Sequence, residues 1–539
     1  MLDASAARPR RRRWFAMAAA AALLAAAPFA PARAPAATLA TTQVLAKSGD
    51  PVPDASGTLF EIEPQVVLGD SGQVAFFSDI RDQGFLAGSA IFRCCGPAGL
   101  AFVVRSDWPA PDGNGTFRAI DVTPLAIDAS GHVAFGAELT GTFDRSETPG
   151  IFVGGDGMAD LVQIARGNET LPGSGDRIVG LDAIGQPVSL NDASQAAFAA
   201  SFGSPPKSGY LRGDGTPGSL VEIARTGEPT PDGMQTLLVL QPPATLLPSG
   251  AVGFGAVLGP AFGIFRGNGG ALTEIVRTGD ASPDGNGSFA TTLFHAPAFD
   301  DAGEAIFYAT LTGTSGGSSD DAGIFRGDGD QTVVIARRGD LVPGGNGRLL
   351  DLDYGSIAVN GAGQVLFRST ITGATGGSDE GVFRGDGQSL ETIARAGDPT
   401  PGGDGVFDSF EPLTLALNAH GMAVFQAFVD FGDGGTTHDS EGIFAYDDAH
   451  GLVAVARIGD VVPGAGRIDA LVFTGATTSQ GAGTSGLDAN GEVAYRLAAG
   501  GDFFVAKRAA PEPGAGPLAA AAALALAARC RRAARAARR

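Results

Sequence analysis

Apolar residues occur along most of the chain in short runs, separated by turns rich in glycine, proline and aspartate. Short apolar runs bounded by such turn residues are typical of β-strands. Between residues 43 and 505 no stretch has the apolar spacing of a three-turn amphipathic helix. The pattern therefore predicts an all-β protein.

The runs belong to a unit that is repeated eight times. In each unit a Phe or Tyr stands four residues after a turn residue, usually Gly. The first and last of these turn residues are 419 positions apart, so one step is about 60 residues. The pairs are Gly72/Phe76, Gly131/Phe135, Ser194/Phe198, Gly250/Phe254, Gly303/Phe307, Gly363/Phe367, Gly421/Phe425 and Gly491/Tyr495.

Asn or Asp stands three residues before the turn glycine in several units, as in Asn360/Gly363, Asn418/Gly421 and Asp488/Gly491. This spacing is typical of a hairpin turn in which the side-chain oxygen caps the turn and glycine takes a positive φ. We therefore interpret the motif as a hairpin signal rather than a catalytic or ligand motif. The run Gln364–Phe367 that follows is apolar at consecutive positions, which predicts a strand packed on both faces.

Two further sequence motifs recur at a fixed place relative to the turn motif. An Ile/Val-Phe strand precedes a glycine turn, as in 323–329, and another strand ends in Ala-Arg-x-Gly-Asp, as in 335–340. Each unit thus supplies four strands, which in the sixth unit are predicted at 348–359, 364–371, 381–385 and 390–396. Repeated four-stranded meanders packed on both faces predict a β-propeller, with a β-solenoid as the alternative.

The two ends of the repeat array complement each other. The eighth unit has strands at 492–498 and 502–507 but no fourth strand after them, whereas the array begins with an isolated fourth strand at 43–50. If this strand completes the last sheet, the ring has no open edge. We predict eight four-stranded blades over residues 38–508, closed by the N-terminal strand.

The N-terminal segment has the charge order of a secretory signal peptide. Within residues 1–37, arginines at positions 8 and 10–13 precede an apolar stretch at 14–30 and an Ala-x-Ala-like site at 34–36. The string Arg12-Arg13-Trp14-Phe15 also resembles a twin-arginine signal. Either export route places the mature protein outside the cytoplasm.

The C-terminal segment, residues 509–539, contains Pro511, Glu512 and Pro513, an apolar run at 518–528 and six arginines after it. This order resembles the PEP-CTERM sorting tail of exported proteins. The resemblance implies retention at the inner membrane and processing by an exosortase-like enzyme. The apolar run has eleven residues, fewer than the ~20 that a membrane-spanning helix needs. The alternative is an unstructured Ala/Arg-rich tail.

The repeats also resemble bacterial tandem-repeat surface proteins whose Asn-x-x-Gly unit ends in Ala-Phe. Residues 73–76 (Gln-Val-Ala-Phe) and 132–135 (His-Val-Ala-Phe) have this ending. Glycine is lost from the turn at Ser194, and asparagine is replaced by Leu247. The resemblance implies a cell-surface or secreted protein and carries over no catalytic residue.

The charge of the chain indicates which classes of partner it does not favour. The formal net charge is −21, and without residues 1–37 and 514–539 it becomes −32, from 25 basic and 57 acidic residues. A body this acidic does not favour binding to nucleic acid or to anionic lipid. A membrane contact is therefore expected only through the C-terminal tail.

Few motifs in the sequence indicate chemistry. The five histidines form no metal-binding pair, although a Ser-His-Asp set assembled from separate blades stays open. Arg-Gly-Asp recurs at the same place in several units, as at 212–214, 326–328 and 384–386, so we interpret it as a turn rather than an integrin ligand. Two loops place oxygen side chains two residues apart, loosely like Ca²⁺ loops, but they lack a third acidic ligand and a terminal Glu. Their residues are Asp112, Asn114, Asp284 and Asn286.

These observations predict an exported, surface-associated propeller that acts as a non-enzymatic interaction or structural module. We expect no cofactor apart from the Ca²⁺ alternative. The expected partners are the export machinery, an exosortase-like enzyme and an extracellular glycan or protein. The alternative is a secreted propeller hydrolase or lyase that acts on polysaccharide or on a small ester.

Overall fold

The computed structural model describes residues 41–96, 99–120, 125–145, 148–181, 187–294, 297–376, 379–432, 440–476 and 485–509. In this part of the chain the regular structure consists of strands and short 3₁₀ turns, such as Met158–Asp160 and Gly317–Ser319. None of its helices is long and apolar enough to cross a membrane. The prediction of an all-β protein is confirmed.

The described residues form eight antiparallel sheets, here called blades 1 to 8, and a short two-stranded ribbon. Blade 1 contains β2 (Thr58–Leu68), β3 (Val74–Asp82), β4 (Phe85–Gly96) and β5 (Gly99–Arg105). Blade 2 contains β6 (Thr116–Ile120), β7 (Ala126–Ile127), β8 (Val133–Thr140), β9 (Pro149–Gly154) and β10 (Val162–Arg166). Blade 3 contains β11 (Ile178–Leu181), β12 (Ser189–Leu190), β13 (Ala196–Phe202), β14 (Lys207–Gly213) and β15 (Val221–Arg225). Blade 4 contains β16 (Val239–Leu246), β17 (Val252–Val257), β18 (Phe262–Gly267) and β19 (Thr273–Arg277).

The second half of the ring repeats this arrangement. Blade 5 contains β20 (Ser288–Phe294), β21 (Ala298–Phe299), β22 (Ala305–Thr312), β23 (Ala322–Gly327) and β24 (Thr332–Arg337). Blade 6 contains β25 (Arg348–Val359), β26 (Val365–Thr372), β27 (Glu380–Gly385) and β28 (Leu390–Arg395). Blade 7 contains β29 (Val406–Phe410), β30 (Ala416–Leu417), β31 (Ala423–Asp430), β32 (Ser440–Asp447) and β33 (Gly451–Arg457). The ribbon β34 (Val461–Val462) and β35 (Gly466–Arg467) leads to blade 8, which contains β36 (Ala470–Val472), β37 (Glu492–Ala499), β38 (Asp502–Ala509) and β1 (Gln43–Lys47).

Within each blade the four successive strand positions are called A to D, with A nearest the ring axis. In blades 2, 3, 5 and 7 position A is divided between two short strands. Because neighbouring strands are antiparallel, the A–B and C–D turns lie on one face of the ring, called the AB face. The B–C turns and the D–A connections between blades lie on the opposite face, called the BC face.

The N-terminal strand closes the ring. Strand β1 occupies position D of blade 8 and pairs antiparallel with β38, with Gln43 opposite Lys507 and Lys47 opposite Phe504. The backbone N–H of Ser48 adds a hydrogen bond of 2.8 Å to the carbonyl of Phe503. The predicted closure is therefore confirmed. Strand β1 starts, and β38 ends, on the AB face.

The A–B hairpin turn is the same in all eight blades of the described chain. Two backbone hydrogen bonds close each turn: the fourth residue donates to the first, and the first donates to the fifth, as in Gly363 to Asn360 and Asn360 to Gln364. The fourth residue has a positive φ in every turn, from 54° at Ser194 to 86° at Gly131. The hairpin interpretation of the Asn-x-x-Gly spacing is confirmed.

Stacked phenylalanines fill the core between strands B and C. The Phe after the hairpin turn and the Phe of the Ile/Val-Phe strand are cross-strand partners, as in Phe307 and Phe325, whose ring centroids are 5.7 Å apart. The same stack occurs in blades 1, 2, 4, 6 and 7. A Cβ atom on Gly323 would lie 2.8 Å from the Phe325 ring. Glycine at this position therefore makes room for the ring.

Strand B packs on both faces, as its continuous apolar run predicts. Val365, Leu366 and Phe367 are all fully buried. Each hydrophobic cluster joins residues from two neighbouring blades, as in the cluster that contains Ile306 of blade 5 and Phe367 of blade 6. The hydrophobic core thus runs between neighbouring sheets around the ring.

Candidate functional site

The A–B turns surround a cavity of about 310 Å³ at the AB-face mouth of the central channel. Every blade contributes to its wall, through residues 68–70, 127–129, 190–192, 245–248, 299–301, 359–361, 417–419, 485 and 487–489. The repeated turn motif therefore has a second role that its spacing does not reveal: it lines one end of the channel.

The turn asparagines connect neighbouring blades as well as capping their own turns. Oδ1 of Asn360 accepts hydrogen bonds from the backbone N–H groups of Ala362 and Gln364. Its Nδ2 donates across the blade boundary to the carbonyl of Asn418, at 3.0 Å. Asn418 donates in the same way to Asp488, at 3.1 Å. The oxygen and the nitrogen of the side-chain amide thus both form hydrogen bonds.

Cations on strand C provide a second link between blades. In six of the eight blades a strand C guanidinium or ammonium group donates to an A–B turn carbonyl of the next blade. The donor–acceptor pairs are Arg93–Gly131, Arg212–Gly250, Arg266–Gly303, Arg326–Gly363, Arg384–Gly421 and Lys507–Gly72. Arg212, Arg326 and Arg384 each begin an Arg-Gly-Asp motif at the end of strand C. The turn interpretation of that motif is confirmed, and its arginine joins two blades.

Histidine replaces this link at the two junctions where strand C has an apolar residue. Val153 of blade 2 and Ala445 of blade 7 occupy the cation's position. Between blades 7 and 8, Nδ1 of His420 lies 2.9 Å from the carbonyl of Ala489. Between blades 2 and 3, His132 lies beside Ser194. Both histidines are therefore placed at blade junctions.

The structure does bring a Ser, a His and an Asp together at the second of these junctions. Oγ of Ser194 lies 3.2 Å from Nδ1 of His132 and donates to Oδ2 of Asp128 at 3.0 Å. The same Asp128 oxygen lies 3.0 Å from the same ring nitrogen. A Ser-His-Asp relay needs the serine and the aspartate on opposite nitrogens. This arrangement therefore holds two blades together and does not align a nucleophile.

Ser194 also has a backbone conformation that favours glycine. Its φ is 54°, in a turn where glycine is the usual fourth residue. A non-glycine residue in this region costs about 1 kcal/mol or more. The hydroxyl group's bonds to blade 2 offset that cost, which accounts for the loss of glycine at this turn.

The Ca²⁺ candidates hold arginine side chains. Oδ2 of Asp112 accepts a hydrogen bond from Arg166 at 3.0 Å, and Oδ1 caps its own loop at the N–H of Asn114. Asp284 pairs in the same way with Arg337. These arginines end strand D of the blade that follows each loop, Arg166 in β10 and Arg337 in β24. The carboxylate of each loop therefore pairs with a guanidinium group.

The asparagines of these loops brace the neighbouring B–C turns. Oδ1 of Asn114 accepts from the N–H of Phe143 at 2.8 Å, and Oδ1 of Asn286 accepts from Ser315 at 2.8 Å. Among the described residues no group of three or more His, Cys, Asp or Glu side chains could hold a metal ion. The sorting motif Pro511, Glu512 and Pro513 lies outside the described residues, as does the proposed signal segment.

Carboxylates collect at the AB-face mouth. Asp70, Asp192 and Asp301 line the cavity and are exposed. Two of them accept hydrogen bonds from the preceding blade: Asp192 from the N–H of Ala129 and Asp70 from the N–H of Ala489, both at 2.8 Å. The sequence pattern identifies these turns as hairpins but does not show that they surround one axis. This group of carboxylates was therefore not predicted.

Two buried carboxyl groups at this mouth have raised pKa values. Asp300 and Asp488 are 3% and 1% exposed and occupy the first turn position, where blades 6 and 7 have Asn. Burial raises the pKa of each to about 6, and the neighbouring charges of Glu304 and Glu492 contribute to the shifts. Unlike asparagine, an ionised aspartate at this position has no donor for the next blade.

We expect Asp488→Asn to stabilise the protein at pH 7.5 by about 1–2 kcal/mol, since it removes a buried charge and adds an amide donor. The folded pKa of Asp488 exceeds the unfolded value of about 3.9. This group's contribution to stability is therefore full below about pH 4 and is lost as the pH rises through 6. Urea unfolding at pH 4.5 and 7.5 measures both effects. The matched control is Asp301→Asn at the same mouth; equal effects of the two substitutions would contradict the role of burial.

Comparisons with solved structures return β-propellers at low sequence identity. The β-propeller domain of the Trilobed protease from Pyrococcus furiosus, described as having an open velcro topology, is 13% identical over 74% of this chain and 98% of that chain (TM-score 0.39). The polysaccharide lyase Uly1 is 9% identical over 83% and 90% (TM-score 0.33). The Penicillium chrysogenum α-L-arabinanase complexed with arabinobiose is 11% identical over 72% and 97% (TM-score 0.26). These similarities concern the fold alone.

No curated protein has a significant sequence match to this chain. One family model does match it, in two overlapping segments, residues 36–378 and 370–516, which together include every described strand. The chain therefore belongs to the Family of unknown function (DUF7453).

Proposed function

We propose that this chain is an exported, surface-associated β-propeller that acts as a non-enzymatic interaction or structural module. The proposal rests on the hydrogen bonds that the repeated polar residues form within the ring. Turn asparagines, strand C arginines and the Ca²⁺-like loops all bond to other parts of the ring. A framework built this way favours a rigid platform whose surface loops meet a partner.

The export part of the proposal rests on the two terminal segments. Residues 1–37 have the order of a signal peptide, and residues 509–539 have the order of a sorting tail. Both ends of the propeller lie on the AB face, where β1 starts and β38 ends. A tail that is held at a membrane would therefore direct the AB face toward it and the BC face away.

A mass measurement on protein from the membrane and culture-medium fractions tests the proposal. We expect a mature chain that lacks about the first 37 residues, together with a membrane-associated form or a form shortened near Pro511–Pro513. A full-length chain that begins at Met1 and stays in the cytoplasm would refute export. Glycan-array binding by the purified protein would distinguish a binding module from a purely structural one.

A second candidate function, a hydrolase or lyase acting on polysaccharide or a small ester, is favoured by one observation. Asp300 and Asp488 line the cavity at the AB-face mouth with pKa values of about 6. Carboxyl groups with raised pKa in a cavity are suited to general acid catalysis. Activity on such substrates that is lost in Asp300→Asn and retained in Asp301→Asn would support this alternative over the first.

A further inference from the structure

Exposed apolar side chains are concentrated on one face of the ring. Of the fifteen large apolar side chains exposed among the described residues, eleven lie in B–C turns, in D–A connections or at the strand ends beside them, on the BC face. Met158 and Val162 are the two on the AB face. Phe143 and Phe85, at B–C turns of neighbouring blades, are 90% and 79% exposed. Exposed apolar residues concentrated in this way mark interaction surfaces.

Aspartates accompany these apolar residues in the chain. Four of the eleven have an exposed aspartate as the next or preceding residue: Phe143-Asp144, Asp340-Leu341, Leu350-Asp351 and Asp460-Val461. The side chain of Asp351 is 71% exposed. Four of the eleven exposed apolar residues on the BC face thus have negative charge beside them in the chain, and the exposed Asp82 lies opposite Phe85 in the B–C hairpin of blade 1.

Hydrogen bonds hold the Phe143 turn in place before any partner binds. Its backbone N–H donates to Oδ1 of Asn114 at 2.8 Å, and Oγ1 of Thr142 donates to the carbonyl of Asp144 at 2.9 Å. A contact residue that is already ordered loses less conformational entropy on binding. The turn is therefore ordered before binding, and the Phe143 ring is exposed to solvent.

The charge of this face restricts its occupant. Anionic lipid surfaces and a second copy of this acidic chain, with a net charge of −21, are both repelled. A polypeptide in which basic and apolar residues alternate matches both features. Because the chain ends leave from the AB face, no terminal segment of the chain starts on the BC face.

We propose that the BC face binds a cationic, apolar polypeptide segment, with Phe85, Leu86 and Phe143 as apolar contacts and Asp82 and Asp144 as charge partners. This inference rests on the proposed function and identifies its binding surface and partner class. Apolar burial supplies affinity, and the carboxylates select for positive charge and accelerate association at low salt.

The test uses the purified mature protein and three synthetic 14-residue probes, labelled for fluorescence anisotropy: Leu/Lys, Ser/Lys and Leu/Glu peptides. We expect the Leu/Lys peptide to bind and the other two to bind at least tenfold more weakly. Phe85→Ser, Leu86→Ser and Phe143→Ser in one variant should weaken binding at least tenfold. Met158→Ser with Val162→Ser, on the AB face, is the matched control and should leave affinity unchanged. Asp82→Asn with Asp144→Asn, beside the same apolar contacts, should lower the affinity and its salt dependence.

Several outcomes would overturn the inference. They are equal binding of the Ser/Lys and Leu/Lys peptides, equal loss in the BC-face and AB-face variants, or no binding of the Leu/Lys peptide at 1 mM. Binding of neutral phosphatidylcholine vesicles that depends on the same three residues, without peptide binding, would assign the face to a membrane instead. Circular dichroism of each variant checks folding. None of these results depends on the mass measurement that tests export, so the two proposals fail separately.

Discussion

Removal of residues 1–48 should open the ring at blade 8 and lower the free energy of unfolding by about 4–6 kcal/mol, estimated from the lost ladder bonds and apolar burial. The lost strand forms four residue pairs with β38, and its Ala46 is 2% exposed. Strand β38 would then present an unpaired edge, which favours association between molecules. Urea unfolding and sedimentation velocity measure the two effects.

Removal of residues 1–40 is the matched control for this deletion. It leaves β1 (Gln43–Lys47) intact, so its unfolding curve should match that of the undeleted protein. A synthetic peptide of residues 41–50 added to the longer deletion should restore stability in proportion to its concentration. Equal stability of the two deletions would show that β1 does not close the ring in solution.

The second large effect is expected from Phe325→Ala, at about 3–5 kcal/mol of destabilisation. Phe325 is fully buried; its ring packs edge-on against Phe289, with centroids 5.0 Å apart, and stacks on Phe307 at 5.7 Å. Truncation leaves a cavity between two blades that the rigid sheets cannot fill. Urea unfolding provides the measurement.

Phe325→Leu is the control, because blade 3 has Leu211 opposite Phe198 at the equivalent position. A leucine there should cost about 1–2 kcal/mol, since it keeps most of the buried volume. Similar costs for Ala and Leu would mean that the sheets close over the missing ring. A cost under about 1 kcal/mol for Ala would contradict the role of the stack in stability.

Local sequence signals predicted the fold because each of them acts over a few residues. Blade 6 was predicted at 348–359, 364–371, 381–385 and 390–396, and its strands are Arg348–Val359, Val365–Thr372, Glu380–Gly385 and Leu390–Arg395. The turn motif and the packing on both faces follow from short-range pattern, and the N-terminal closure follows from a comparison of the first and last repeats. The divided A strands of blades 2, 3, 5 and 7 break that pattern and were not predicted.

The candidate sites were harder to predict because their contacts join distant residues. The spacing of Asp112 and Asn114 resembles that of a cation-binding loop. Arg166, which pairs with Asp112, is 54 positions away. Likewise, Arg326 looks like part of a local turn but bonds to a carbonyl 37 residues further on. The distance between repeats hides such partners from any argument based on short spacing. Only the ring geometry reveals them.

The strand that seals blade 8 also sets the order of events during synthesis. Ser48 is translated early, but its partner Phe503 follows 455 residues later. At about 5–20 residues per second this interval is about 25–90 s. A chain released before residue 502 has no partner for its first strand and cannot become a complete molecule. The ring therefore cannot close before Phe503 and the rest of β38 have been translated.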